Sequence, residues 1–413
     1  MAKKKSVRYI CPCCYGSIDL SQIHYSCTNP ECTKAFLETC SASELRRYGS
    51  RYKPDEEIDV EKSEYLGLDP RSPEAVTTRE HIIRGSVNGS CDVCKSKNTI
   101  KLCPKCHTPI TAGAEENGTT IFVIMGTEGC GKSHYLASLI KSIEEIYPGE
   151  FRIPFTAASE KTVLKFDREY RSRVFLEGKC LPPTPSYDIT DTRDPLLYEL
   201  GGENHAIHRT VAFLDTSGAD LDLGNKLSFL NVSTYISGAS GIMFLVDPMQ
   251  LPKVRERLGL PTVEGQFPDM ADTLNYISEI IRDRNKLRTK DDIEIPLAVI
   301  LTKVDLLMRS ANGAEDEDAL FGPESSLHIE RERETTDTVN INQVGAEVEE
   351  YLRRNAGQEF LDEVNKYTTH QYFAVSALGS DTAEGKLIKG VEPYRVEDPV
   401  IWFLNSNERR RWF

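Results

Sequence analysis

The chain has 413 residues, 39% of them hydrophobic and 28% charged, with 12 cysteines and a formal net charge of -14. That length allows two or three domains with a sizeable core, and no apolar run approaches the ~18 residues of a membrane-spanning helix. Residues 1–113 hold 17 basic and 14 acidic side chains, the remainder 33 and 50, so the acidic body is a poor partner for nucleic acid or membrane, while the N-terminal part stays open to an anionic one. Met1-Ala2-Lys3-Lys4-Lys5 is basic, but no apolar stretch follows it, which argues against a signal peptide. A cytoplasmic chain with reduced cysteines is expected, and clustered Cys pairs then point to metal rather than disulfides.

Cys11-Pro12-Cys13-Cys14 comes first, then the pair Cys27 and Cys32. Cys91-Asp92-Val93-Cys94 and Cys103-Pro104-Lys105-Cys106 follow. Each pair aims two thiolates at one point, and two pairs supply the four sulfurs of a closed structural zinc site. Cys11, Cys14, Cys27 and Cys32 are expected to hold one Zn2+, and Cys91, Cys94, Cys103 and Cys106 a second. Cys13 can replace Cys11 or Cys14. A cross-brace of alternate pairs is the other arrangement, but the long gap between Cys32 and Cys91 favours sequential use. Cys40 and His107 are spare ligands, better read as ordinary surface or core residues. The spacing predicts a first zinc ribbon over 1–40, a partly helical connector over 41–85 and a second ribbon over 86–110. Ser72-Pro73-Glu74 reads as a helix start in the connector. Lys95, Lys97, Lys101 and Lys105 make the second ribbon basic, yet no aromatic interleaving supports base stacking. Structural or protein-docking zinc modules are therefore preferred to nucleic-acid contact.

Residues 110–118 read as a linker. Thr119–Met125 is a short β-branched apolar run, a buried strand. It leads into Gly126-Thr127-Glu128-Gly129-Cys130-Gly131-Lys132-Ser133, and Leu136, Leu139, Ile140 and Ile143 follow at helical spacing. Strand, Gly-rich loop and helix together make a phosphate site. The glycines let backbone N–H groups close around phosphate oxygens, and the helix N-terminus adds partial positive charge. Lys132 suits the β- and γ-phosphates, Ser133 suits Mg2+, and His134 completes the predicted nucleotide-binding stretch. Thr210–Leu214 is a further strand, ending at Asp215-Thr216-Ser217-Gly218. Asp215 there can hold Mg2+, and Gly218 can offer its N–H to a γ-phosphate. Gly241–Val246 and Ile295–Leu301 are buried strands, and Thr302-Lys303-Val304-Asp305 sits on the end of the latter. The Asp305 carboxylate can accept from guanine N1–H and the exocyclic amine, whereas adenine would leave it unpaired. The Lys303 stem can lie on the base. Gln371–Val375 is the last strand, and Ser376-Ala377 can offer a backbone N–H to guanine O6.

This ordered set resembles the Ras-like P-loop GTPases of the translation-factor-related class over residues 119–413. The resemblance implies an α/β fold, a doubly wound, mostly parallel sheet with the nucleotide at strand carboxyl ends, here preceded by zinc-ribbon modules. It implies GTP or GDP with Mg2+, a protein effector and a GTPase-activating partner. The zinc-plus-GTPase layout and Pro182-Pro183-Thr184 are also similar to the double-GTPase families of bacterial conflict operons. Such proteins place a Mg2+-binding Thr before the second strand, read here as Leu196–Leu200. Thr184 is chosen over Thr190 and Thr192, and with Lys132 and Gly218 it makes up the expected catalytic set. Ala219 stands where many relatives carry a water-orienting Gln. GTP hydrolysis is therefore expected to be slow or partner-assisted, with a hydrolysis-deficient scaffold or a nucleotide-regulated nucleic-acid binder as alternatives. Insertions are expected near 151–181, with an amphipathic stretch at Lys161–Leu176, and near 311–340 as a mobile loop. Pro399–Leu404 is assigned to the closing helix.

Overall fold

The computed structural model describes residues 8–19, 23–27, 56–58, 76–78, 81–83, 97, 99–149, 152–184, 195–201, 208–217, 233, 236, 238–261, 267–311, 324–329, 338–380, 382–383 and 385–411. They fall into two compact units, 1–119 with 208–210, and 120–207 with 211–413.

The first unit is built from short strands. β1 (Arg8–Ile10) pairs antiparallel with β2 (Ser17–Asp19). β3 (His24–Cys27) is followed by β4 (Glu56–Ile58), β5 (Val76–Thr78), β6 (His81–Ile83) and β7 (Thr99–Leu102). β3 is the middle strand between β6 and β7, with His24 opposite Leu102 and Cys27 opposite Thr99. The connector expected to be partly helical thus contributes strands among the described residues. The β-branched Val76-Thr77-Thr78 and Ile82-Ile83 suit a pleated surface better than a helix. The proposed helix start at Ser72-Pro73-Glu74 lies outside the described residues. The expected linker is also corrected: Ala112–Asn117 forms helix α1. Its Ala114 is buried against Tyr9, Ile18 and the cysteines, and that burial outweighs the weak propensity of Gly113.

The second unit is a seven-stranded sheet with helices on both faces. Its elements begin with β8 (Thr119–Gly126), α2 (Lys132–Gly149), β9 (Phe155–Ala157), α3 (Glu160–Lys165), β10 (Leu196–Gly201) and β11 (His208–Asp215). Next come β12 (Gly241–Val246), α4 (Pro252–Arg257), α5 (Met270–Asn285), β13 (Leu297–Leu301) and α6 (Val304–Ala311). α7 (Thr338–Asn355), α8 (Gln358–Val364), β14 (His370–Ala374), the hairpin β15 (Thr382–Ala383) and β16 (Lys386–Leu387), and α9 (Asp398–Arg411) complete it. The sheet order is β14-β13-β12-β8-β11-β10-β9. β8, β12, β13 and β14 run parallel, and β9 joins β10 antiparallel. Every residue of β12 and β13 is buried, as strands covered on both faces require. Met243 and Leu245 pack with α2 and α9, while Phe244, pointing the other way, meets Phe360 of α8. Gly241 admits no side chain: an added Cβ would lie 2.5 Å from the Phe403 ring.

Sheet order reverses at β8. Strands β9–β11 lie on one side of it and β12–β14 on the other. A crevice opens at the carboxyl end of such a strand, and the glycine loop starts there. The stretch expected to be amphipathic is α3 continued by a π-helix, Phe166–Leu176, which buries Phe166, Tyr170 and Val174. Of the insertion near 311–340, Ser326–His328 forms a 3-10 turn, and 312–323 and 330–337 lie outside the described residues.

Candidate functional site

The glycine loop follows β8 directly. Gly126, Gly129 and Gly131 have φ of 146°, 76° and 95°, values that a side chain resists. A Cβ on Gly126 would also lie 2.7 Å from the Leu245 carbonyl oxygen. Lys132 opens α2 and turns back on the loop: its Nζ donates to the carbonyls of Gly126 (2.9 Å) and Thr127 (2.8 Å). Cys130 is fully buried, and burial pushes its thiol pKa up, so it is a packed residue of the loop.

Three oxygen donors meet beside it. Ser133 Oγ is 2.8 Å from Thr184 Oγ1, and Thr184 Oγ1 is 3.5 Å from Asp215 Oδ2. Ser217 Oγ donates to the Thr184 carbonyl (3.0 Å), and the Tyr170 hydroxyl lies 3.4 Å from Asp215 Oδ2. Burial raises the Asp215 pKa, while the Ser133 hydroxyl and the Lys132 charge pull it back. Asp215 Oδ1 is buried with no hydrogen-bond partner among the described residues. Two hydroxyls and one carboxylate, its Oδ1 orphaned, fit a Mg2+ ion that keeps some water and phosphate ligands. Between the loop and residues 181–184 lies a cavity of about 230 Å³ lined by Glu128, Gly131, Lys132, Ser133, Thr184 and Ser217, among others. His134 ties this wall down: its Nε2 accepts from Leu181 N–H (2.9 Å). Burial, with help from Lys303, pushes its pKa down to about 4, which keeps that nitrogen an acceptor at neutral pH.

The residues expected to meet a guanine base gather on the other flank of the loop. Thr302 Oγ1 lies 3.2 Å from both the Cys130 and the Val246 carbonyl oxygens. Lys303 adopts φ 53°, and its Nζ reaches the Gly129 carbonyl (3.2 Å) and Asp247 Oδ2 (2.6 Å). That ion pair, with Asp247 only 3% exposed, helps offset the left-handed backbone. Ser376 Oγ donates to Asp305 Oδ1 (2.6 Å), and Ser138 Oγ donates to the Ala377 carbonyl (2.6 Å). Lys303, Asp305, Ser376 and Ala377, predicted from separate strand ends, are thus brought to one rim. Gly218 and Ala219 lie outside the described residues, as do Thr190 and Thr192. Sequence reading missed Tyr170, Asp247 and Gln250 as parts of the site. Asp247 carries a usable signal, an acid at the tip of a buried strand. Tyr170 and Gln250 carry none.

The cysteines regroup. Cys11, Cys14, Cys103 and Cys106 converge, all four sulfurs within 4.8 Å of one another and all buried. The first pair therefore meets the last, not its neighbour in sequence. The antiparallel register of β3 against β7, His24 opposite Leu102, runs the chain into the second knuckle beside the first. Both knuckles have one form. Tyr15 and His107, at φ 55° and 53°, donate their N–H groups to the carbonyls of Cys11 (2.8 Å) and Cys103 (2.9 Å). The Cys11–Cys106 and Cys14–Cys103 sulfurs are 3.5 and 3.8 Å apart. A tetrahedron with Zn–S near 2.3 Å has sulfur edges of about 3.8 Å, so the cluster fits one structural zinc. Hydrogen bonding from neighbouring thiols, first Cys103, pulls the Cys106 thiol well below its ordinary range. Cys27 ends β3, and Cys32, Cys91 and Cys94 lie outside the described residues.

No protein-family model matches the chain. It is similar to a curated Mycolicibacterium smegmatis protein named "Putative ESX-1 scaffolding and assembly protein SaeC", 25% identical over 318 residues, 74% of this chain and 80% of that one. Among solved structures it is similar to the Arl6 BBS3 small GTPase from Trypanosoma brucei with bound GppNp, at 11% identity and a TM-score of 0.28, over 71% of this chain and 99% of that one. Likenesses of this extent assign no activity, and the functional reading rests on the residues. Among the described residues no helix is long and apolar enough to cross a membrane.

Proposed function

We propose that the chain is a guanine-nucleotide switch that binds GTP and GDP with Mg2+ and hydrolyses GTP slowly or with a partner's help. The observation that carries the guanine assignment is the Asp305–Ser376 contact at 2.6 Å. The Ser376 hydroxyl orients the Asp305 carboxylate, and a carboxylate is an acceptor that suits the guanine N1–H and amine. Lys303 stands beside it, and the loop and Lys132 lie within reach of the same ligand's phosphates. Mg2+, held by Ser133, Thr184 and Asp215, would supply charge neutralisation at the phosphates. The chain's own part is then to orient: Lys132 and the loop amides fix the phosphate chain. Asp305→Asn exchanges an acceptor for an amide and should move preference from GDP to xanthosine diphosphate. Unchanged GDP preference in that variant would remove the guanine assignment.

A second reading keeps nucleotide binding and drops hydrolysis. Ala219 favours it, as does the likeness to a protein named for scaffolding and assembly. Single-turnover hydrolysis separates the two. Phosphate release, alone or with a partner extract, supports the enzyme, and none under any condition leaves a nucleotide-gated scaffold. The zinc-bearing unit is proposed as a structural or protein-docking module. Its remaining pairs, Cys27 with Cys32 and Cys91 with Cys94, are proposed as the ligands of a second zinc, because Cys27 ends β3 opposite Thr99, close in sequence to Cys94.

A further inference from the structure

Side chains take the peptide carbonyls of the phosphate loop from Gly126 to Gly129. Lys132 takes those of Gly126 and Thr127. Gln250 Nε2 takes that of Glu128 at 2.8 Å and Lys303 that of Gly129, while the Thr302 hydroxyl is shared between the Cys130 and Val246 carbonyls. In a trans peptide the N–H points opposite to the C=O of the same unit. Fixing these carbonyls therefore fixes the directions of the amides that follow them, and amides are what an anion meets in such a loop.

Lys132, Lys303 and Thr302 belong to the two motifs read from the sequence. Gln250 belongs to neither, and Asp247, which holds Lys303, does not either. Both lie on one turn after β12, Asp247-Pro248-Met249-Gln250. Asp247 Oδ1 accepts from Met249 N–H at 2.9 Å, and Pro248 fixes the first step of the turn. Gln250 is 7% exposed. Both ends of its carboxamide are used: Oε1 accepts from the Thr127 hydroxyl, and Nε2 donates to the Glu128 carbonyl.

We propose that the Asp247–Gln250 turn positions both ends of the nucleotide site, Gln250 by setting the peptide orientation of the phosphate loop and Asp247 by setting Lys303. This rests on the guanine-nucleotide reading above. One turn then ties phosphate binding to base binding, and neither residue needs to touch the ligand.

The test measures GDP affinity of the full chain in Mg2+, with unfolding temperature as a check on folding. Gln250→Met removes both carboxamide bonds at nearly constant volume and should weaken GDP binding about tenfold. Thr127→Val removes one of the same contacts from the loop side. It should give a smaller loss that does not add to that of Gln250→Met, and it serves if the buried variant does not fold. Asp247→Asn keeps an acceptor for Met249 N–H and removes the negative charge that faces Lys303. It should weaken GDP binding about fivefold, with no further loss when combined with Lys303→Ala. Wild-type GDP affinity in the single variants, or losses that simply add, would overturn the proposal. A wild-type chain that binds no guanine nucleotide would instead overturn the reading beneath it.

Discussion

Asp215 carries the sharpest conflict in the site. Burial raises its pKa, and one of its oxygens has no hydrogen-bond partner among the described residues. Such a group costs stability until a cation arrives. In EDTA and without nucleotide, Asp215→Asn should therefore unfold at higher temperature than the wild type, a gain of about 1 kcal/mol. The same variant should lose the Mg2+ enhancement of nucleotide affinity. A destabilised Asp215→Asn protein, or an unchanged Mg2+ dependence, would count against the metal assignment. Residues of this kind were legible because their chemistry fixes their type and their place at a strand end. Tyr170 and Gln250 were not. They contact Asp215 and the glycine loop from 45 and 122 positions away in sequence, and a buried Tyr or Gln has no spacing signature.

At the level of elements, the buried strands read well because continuous apolar runs bounded by loops have few other interpretations. β12 matches its predicted span, Gly241–Val246, and β8, β10 and β11 differ from theirs by at most two residues at an end. The short elements read poorly. Ala112–Asn117 is a helix because Ala114 packs on the cysteine core, a tertiary contact that local sequence does not carry. The cysteine turns were recognisable, but their grouping was not, because it depends on the register of β3 against β7. That grouping has a direct consequence for metal content. Cys11→Ser and Cys103→Ser should each lower bound zinc by about one ion per chain, and the double variant should lose no more than either single one. A double variant that loses two ions would restore the sequential pairing.

On the scale of the whole molecule, an acidic unit that bears the glycine loop follows a cysteine-rich unit of opposite charge balance, and each has its own core. In the proposed reading nucleotide recognition has a residue for each task, whereas hydrolysis has Ala219 where a carboxamide would help. Binding is therefore the central claim, and its base specificity is the most direct measure of it. Titration of the full chain with GDP and with ADP, each in Mg2+, should give an affinity for GDP higher by about 100-fold or more, since ADP leaves the Asp305 carboxylate without its donors. Equal affinities, a preference for ADP, or no binding of either would contradict the account.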